Sequence, residues 1–103
     1  SPQEWVQHLA NKNNWWRNNA QRLLVTAQSQ EVIPDLEKMA KNQDSAEGRL
    51  HALWTLEGLK GLSTELIIDA LNDPEEGVRE NAIKLAEMHL SESNDLITEL
   101  LKL

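Results

Sequence analysis

Three histidines, two adjacent glutamates, three evenly spaced arginines and four tryptophans are the residues of this chain with the means to do chemistry or hold a ligand. His8, His51 and His89 are far apart, and no two show the i, i+4 spacing with which one helix offers two imidazoles to a metal. Glu75-Glu76 has the residue type for acid–base work, but carboxylates just after Asp73-Pro74 are ordinary partners for the positive end of a helix. No Gly-rich phosphate loop and no Gly-x-Ser-x-Gly elbow occurs. The chain has no cysteine, which removes disulfides, thiolate catalysis, Cys-based zinc sites and c-type haem attachment together. The sequence therefore predicts no catalytic, cofactor-binding or metal-binding residue, and points instead to surfaces.

The arginines are the strongest pattern. Arg17, Arg49 and Arg79 lie 32 and 30 residues apart, and each is followed three positions later by an alanine: Ala20, Ala52 and Ala82. A period of that length marks stacked supersecondary units, none of which can bury its apolar face alone. We read the three arginines as a structural ladder, each paired with an acid of the adjacent unit. Asp35, Asp44 and Asp73 are available, and the guanidinium fork suits bidentate contact with a carboxylate.

The elements that position these residues are all helical. Leu, Ala, Glu, Asn and Lys dominate and β-branched residues are few, so no strand is expected. Ser1-Pro2-Gln3-Glu4 reads as a capping box with Pro at the first helical position, opening a helix to about Ala10. A second helix follows from about Trp15 to Ala27, with Trp16, Ala20, Leu23, Leu24 and Ala27 as its buried stripe. Pro34 confines the third start to Gln30–Ile33. Asp44 with Glu47 is expected to cap the central helix, and Gly58 or Gly61 to end it in the left-handed conformation. Ser63 or Thr64 caps the fifth helix, and Asp73-Pro74 opens a sixth that reaches about Leu90. A seventh begins near Asp95. Odd helices share an apolar pair three residues apart, Val6/Leu9, Leu36/Met39, Ile68/Leu71 and Ile97/Leu100, while even helices share Arg-x-x-Ala. The expected architecture is an all-α superhelix of about seven helices in antiparallel pairs. Its repeats are near 1–28, 29–61 and 62–90, with a half-repeat at 91–103.

Seventeen acidic against ten basic side chains give a net charge of −7, with +1 over residues 1–43 and −8 over residues 44–103. Such a surface repels a phosphate backbone, so nucleic acid is not an expected partner. No apolar run approaches the roughly 20 residues of a membrane span, and no membrane association is expected.

Asp73-Pro74, Val78-Arg79-x-x-Ala82 and the apolar stripe that follows resemble HEAT repeats, and the resemblance covers the whole chain. More narrowly, Trp15-Trp16-Arg17-x-x-Ala20 and Arg49-Leu50-His51-Ala52-Leu53-Trp54 resemble the HEAT-like segment of large secreted bacterial proteins. In those, a sugar-dehydrogenase-like β-propeller precedes the solenoid and a c-type cytochrome domain follows it. The resemblance implies a periplasmic or extracellular setting. It implies a non-catalytic module that positions flanking domains or docks a protein partner, or alternatively an accessory domain of a secreted dehydrogenase/cytochrome protein. Neither a propeller nor a Cys-x-x-Cys-His site stands in this sequence, so the redox chemistry attaches to none of its residues.

In HEAT solenoids the free side of the even helices lines a concave surface. Here that side would carry Asn18 and Arg22, then Leu50, Trp54 and Glu57, then Lys84. Leu50 and Trp54 stand where the other repeats have Asn18 or Glu80 and Arg22 or Lys84, so they form either an exposed anchor or a pair folded against a neighbouring helix. Carbohydrate binding through Trp15 and Trp54 is a weaker expectation, because no polar cluster accompanies them in sequence. The last helix carries Leu96, Ile97, Leu100, Leu101 and Leu103, more than one stripe holds. It suggests an excerpt of a longer protein and weak self-association through this end.

Overall fold

The first helix, α1 (Pro2–His8), starts as its residues dictate: Ser1 Oγ accepts the Glu4 backbone N–H at 3.4 Å, and Pro2 sits where a missing N–H costs nothing. Helix α2 (Asn14–Ala27) is capped by Asn13, whose side chain accepts from the Trp15 N–H at 2.9 Å. A 3-10 turn at Gln30–Val32 leads into α3 (Ile33–Met39), with Pro34 in its first turn. Helix α4 (Ala46–Gly58) takes its cap from Ser45, whose Oγ accepts the Gly48 N–H at 2.9 Å. The expected Asp44 cap is thus one residue early. Ser63 caps α5 (Thr64–Leu71) through the Leu66 N–H. Helix α6 (Glu76–Met88) also starts later than Asp73-Pro74 suggests, because the Asp73 carboxylate accepts the Glu75 N–H at 2.9 Å and forms a turn ahead of the helix.

The structure is a computed structural model, and it describes residues 1–89, 97, 98, 101 and 102. Among the described residues there are six α-helices and no strand. The expected seventh helix, with its leucine-rich self-association surface, lies for the most part outside them.

The chain divides into two compact units, Ser1–Leu62 and Ser63–Leu103. In the first, α1 packs on α2 and α3, and α4 packs on the same two helices. Val6, Leu9, Leu24, Leu36, Leu53 and Leu56 form its core, each at most 1% exposed. Burying such a side chain stabilises by about 1.5–3 kcal/mol relative to leaving it in water. In the second unit α5 packs on α6, and Leu66, Ile67, Leu71, Val78, Leu85 and Ala86 are buried. Ala20, Ala52 and Ala82 are 3%, 0% and 0% exposed, so the Arg-x-x-Ala pattern marks a buried face in α2, α4 and α6.

Helix α4 is covered on more than one side, with Gly48, Arg49, Ala52, Leu53, Thr55 and Leu56 all buried. Its glycines do not serve as left-handed stops. Lys60 takes that conformation at φ 60°, as Gln28 does after α2 at φ 50°, and no glycine among the described residues has positive φ. Gly58 and Gly61 are needed for their size. A Cβ on Gly58 would stand 2.6 Å from Val25 Cγ2, and one on Gly61 would stand 2.8 Å from Ile33 Cδ1. Ala27, expected in the buried stripe of α2, is exposed, since it ends the helix beside Gln28 where the chain turns away.

Candidate functional site

Arg17, Arg49 and Arg79 each close a loop device that recurs at fixed spacing along the chain. Asn11, Asn42 and Asp73 lie 31 residues apart. Each folds its side-chain oxygen onto the backbone N–H two residues on, at 2.8, 3.0 and 2.9 Å for Asn13, Asp44 and Glu75. Each also offers its carbonyl to the arginine of the next helix: Arg17 Nη1 donates to Asn11 O at 2.7 Å, Arg49 Nη1 to Asn42 O at 2.8 Å and Arg79 Nη1 to Asp73 O at 2.8 Å. The carbonyls following a helix have no intrahelical donor, and a guanidinium with five N–H groups satisfies them while locking the loop. The contact common to the three arginines is therefore with a backbone carbonyl of the loop that precedes each one's own helix. For Arg17 this is a full replacement of the expected pairing, its further donations going to Lys12 O and Asn14 Oδ1. Arg49 is 2% exposed, Arg17 and Arg79 half-buried.

The clamp at Asn11 and Arg17 holds the start of α2 over α1, and there the molecule leaves its aromatic residues uncovered. Trp15 is 61% exposed and Trp16 43%. Trp16 was expected in the core, at the position Val78 fills at 2% exposure. Gly48, which likewise directly precedes an arginine, is packed so closely that a Cβ there would meet Met39 Sδ at 2.9 Å and Ala10 Cβ at 3.1 Å. Trp16 instead stacks on His8, with ring centres 5.2 Å apart and planes 21° from parallel, and makes a T-shaped contact with Trp15 at 4.8 Å and 84°. Asn11 Nδ2 lies 3.4 Å from His8 Nδ1, so the loop clamp and the aromatic stack share a residue.

Beside this stack is a cavity of about 140 Å³ between α1 and α2, walled by Trp5, His8 and Trp16, floored by Ala20 and Leu23, and rimmed by Glu4 and Asn19. The Glu4 carboxylate is exposed, 3.7 Å from the Ser1 ammonium, and Asn19 Oδ1 accepts from Arg22 Nη2 at 2.8 Å. Sequence reasoning missed this site. Its signal was present in the spacing Glu4/His8 on α1 and Trp16/Asn19/Ala20/Leu23 on α2, each set at helical intervals.

The six residues read as an interaction surface are distributed as follows. Asn18 and Arg22 are exposed on α2; Leu50, Trp54 and Glu57 are half-buried on α4; Lys84 is exposed on α6, in the second unit. Helices α2 and α4 pack together and are joined by a 2.7 Å hydrogen bond between Gln21 Oε1 and His51 Nδ1. Burial, reinforced by the charge of Arg17 and opposed by Glu47, holds the His51 imidazole below its ordinary pKa of 6.5. The most exposed aromatic pair is therefore Trp15 and Trp16, with Leu50 and Trp54 partly covered. No helix among the described residues is long and apolar enough to cross a membrane. Comparison with protein-family models, curated proteins and solved structures gives no match.

Proposed function

We propose that this chain is a non-catalytic HEAT-like scaffold that docks a protein partner or a flanking domain, its helical hairpins stacking as an α–α superhelix. The observation that carries the reading is the uncovered Trp15 and Trp16 pair, 61% and 43% exposed, on a hairpin locked by its loop clamp. Exposed aromatics held rigidly lose little entropy on binding and are the residues on which interface energy concentrates. The clamp recurring at Asn11, Asn42 and Asp73 supports the repeat architecture, because the same loop solution appears in three successive hairpins.

The test uses a photo-crosslinking side chain at Trp15, with exposed Lys41 as the control position. One discrete adduct is expected from position 15 and none from position 41. The captured protein, produced separately and titrated, should bind the Trp15→Ala, Trp16→Ala variant at least about 10-fold more weakly than the parent chain, as loss of an interface anchor implies. Unchanged affinity in a variant that retains its helical circular dichroism would overturn the reading.

A further inference from the structure

We propose that the cavity between α1 and α2 is a binding site for one neutral pyranose ring, as a terminal sugar of a glycan would present it. No polar cluster accompanies Trp15 or Trp54 in sequence, whereas the fold gathers polar side chains around a different pair, Trp5 and Trp16. Trp5 and Trp16 wall the cavity, and Glu4, Asn19 and His8 stand around it. A pyranose has an apolar face of C–H groups that packs on an indole, and a rim of hydroxyls that each both donate and accept. The lining matches that pattern: the Glu4 carboxylate accepts, and the Asn19 amide N–H groups donate, because the Asn19 oxygen is already held by Arg22.

Size and charge narrow the ligand further. About 140 Å³ is well below the roughly 300–1,000 Å³ of pockets that enclose drug-sized molecules, so the site has room for no more than one substituted ring, part of which stays in solvent. The site takes a single ring and leaves the rest of a glycan in solvent. A cationic side chain is the competing occupant, since Glu4 and the indoles would attract one. Arg22, fixed on Asn19, brings a positive charge to the same rim, and the unit Ser1–Leu62 carries seven basic and seven acidic side chains, so no net field draws a cation in. A ligand of about a dozen heavy atoms on so small a site binds with a dissociation constant of about 1–10 mM.

The indole N–H resonances of the four tryptophans give a direct readout, with Trp54 as the internal control on α4. The intact chain is titrated with the methyl pyranosides of glucose, galactose and mannose, and separately with N-acetyl-arginine amide. At least one pyranoside is expected to shift Trp5 and Trp16 saturably while Trp54 stays still. Glu4→Gln and Asn19→Ala, both at the rim and outside the core, should each weaken that binding about 3-fold or more. The proposal is overturned if no pyranoside saturates by about 100 mM, ten times the weakest expected constant. It is equally overturned if shifts are linear and shared by Trp54, if both rim variants bind like the parent, or if only the arginine probe saturates. None of these outcomes decides the protein-docking reading, which is tested separately by crosslinking from Trp15 and by the affinity of a captured protein for the Trp15→Ala, Trp16→Ala variant.

Discussion

Replacing Gly58 by alanine sets two effects against each other at one atom. Alanine is favoured over glycine in a helix interior by about 1 kcal/mol, and by less at the last residue of α4, which Gly58 is. Against this, the new Cβ would lie 2.6 Å from Val25 Cγ2 and 3.1 Å from Val25 Cγ1, whereas carbon atoms settle at about 3.5–4.0 Å. Both methyls of Val25 face the site, so turning χ1 exchanges one clash for another, and a β-branched side chain has few other rotamers. The helix backbones of α2 and α4 must separate instead, at the roughly 1–3 kcal/mol typical of overpacking. The net expectation is a destabilisation of about 1–2 kcal/mol, a fall of about 4–16 °C in Tm for a chain of this size. Gly77→Ala is the matched control: no atom lies within 4 Å of its new Cβ, so only the propensity gain remains and stability should rise by up to about 1 kcal/mol. Urea and thermal denaturation of the two variants measure both signs. In the double variant Val25→Ala, Gly58→Ala, part of the loss at Gly58 should be recovered as a coupling energy. A Gly58→Ala chain as stable as the parent would falsify the close-approach argument.

Truncating the clamps should rank by burial. Arg49→Ala, which removes a guanidinium 2% exposed, should lower stability by more than the roughly 1.5–3 kcal/mol of a charged hydrogen bond. Arg17→Ala and Arg79→Ala, half in solvent, should cost less, and equal urea midpoints for the three would contradict the burial ranking. His51 makes stability pH-dependent in a definite direction. Its folded pKa lies below the unfolded value of 6.5, so above that value both states are neutral and nothing changes. As pH falls below it the unfolded chain binds a proton that the folded chain refuses, and stability drops until the folded pKa is passed. His51→Gln should flatten that part of the acid limb in urea titrations, and an unaltered limb would assign the slope to other groups.

Local chemistry decided the helices: Ser1, Ser63, Pro2 and Pro34 start them through bonds and steric limits spanning three or four residues, so their positions were legible without a fold. The recurrence of Arg-x-x-Ala marked the buried face of each even helix for the same reason, since one turn of helix fixes which side chains share a side. What Arg17, Arg49 and Arg79 hold is a different matter. Their carbonyl partners lie six or seven residues back, across a turn whose path depends on Asn11, Asn42 and Asp73 folding onto their own backbone. Gly58, Gly61 and Gly48 carry no mark in the sequence to separate a helix stop from a close contact, because that depends on which side chain of another helix stands opposite. Trp16 and Val78 occupy the same register and end up 43% and 2% exposed. Helical periodicity assigns a side chain its direction, while the space available in that direction belongs to the neighbouring element, and only the tertiary structure decides it.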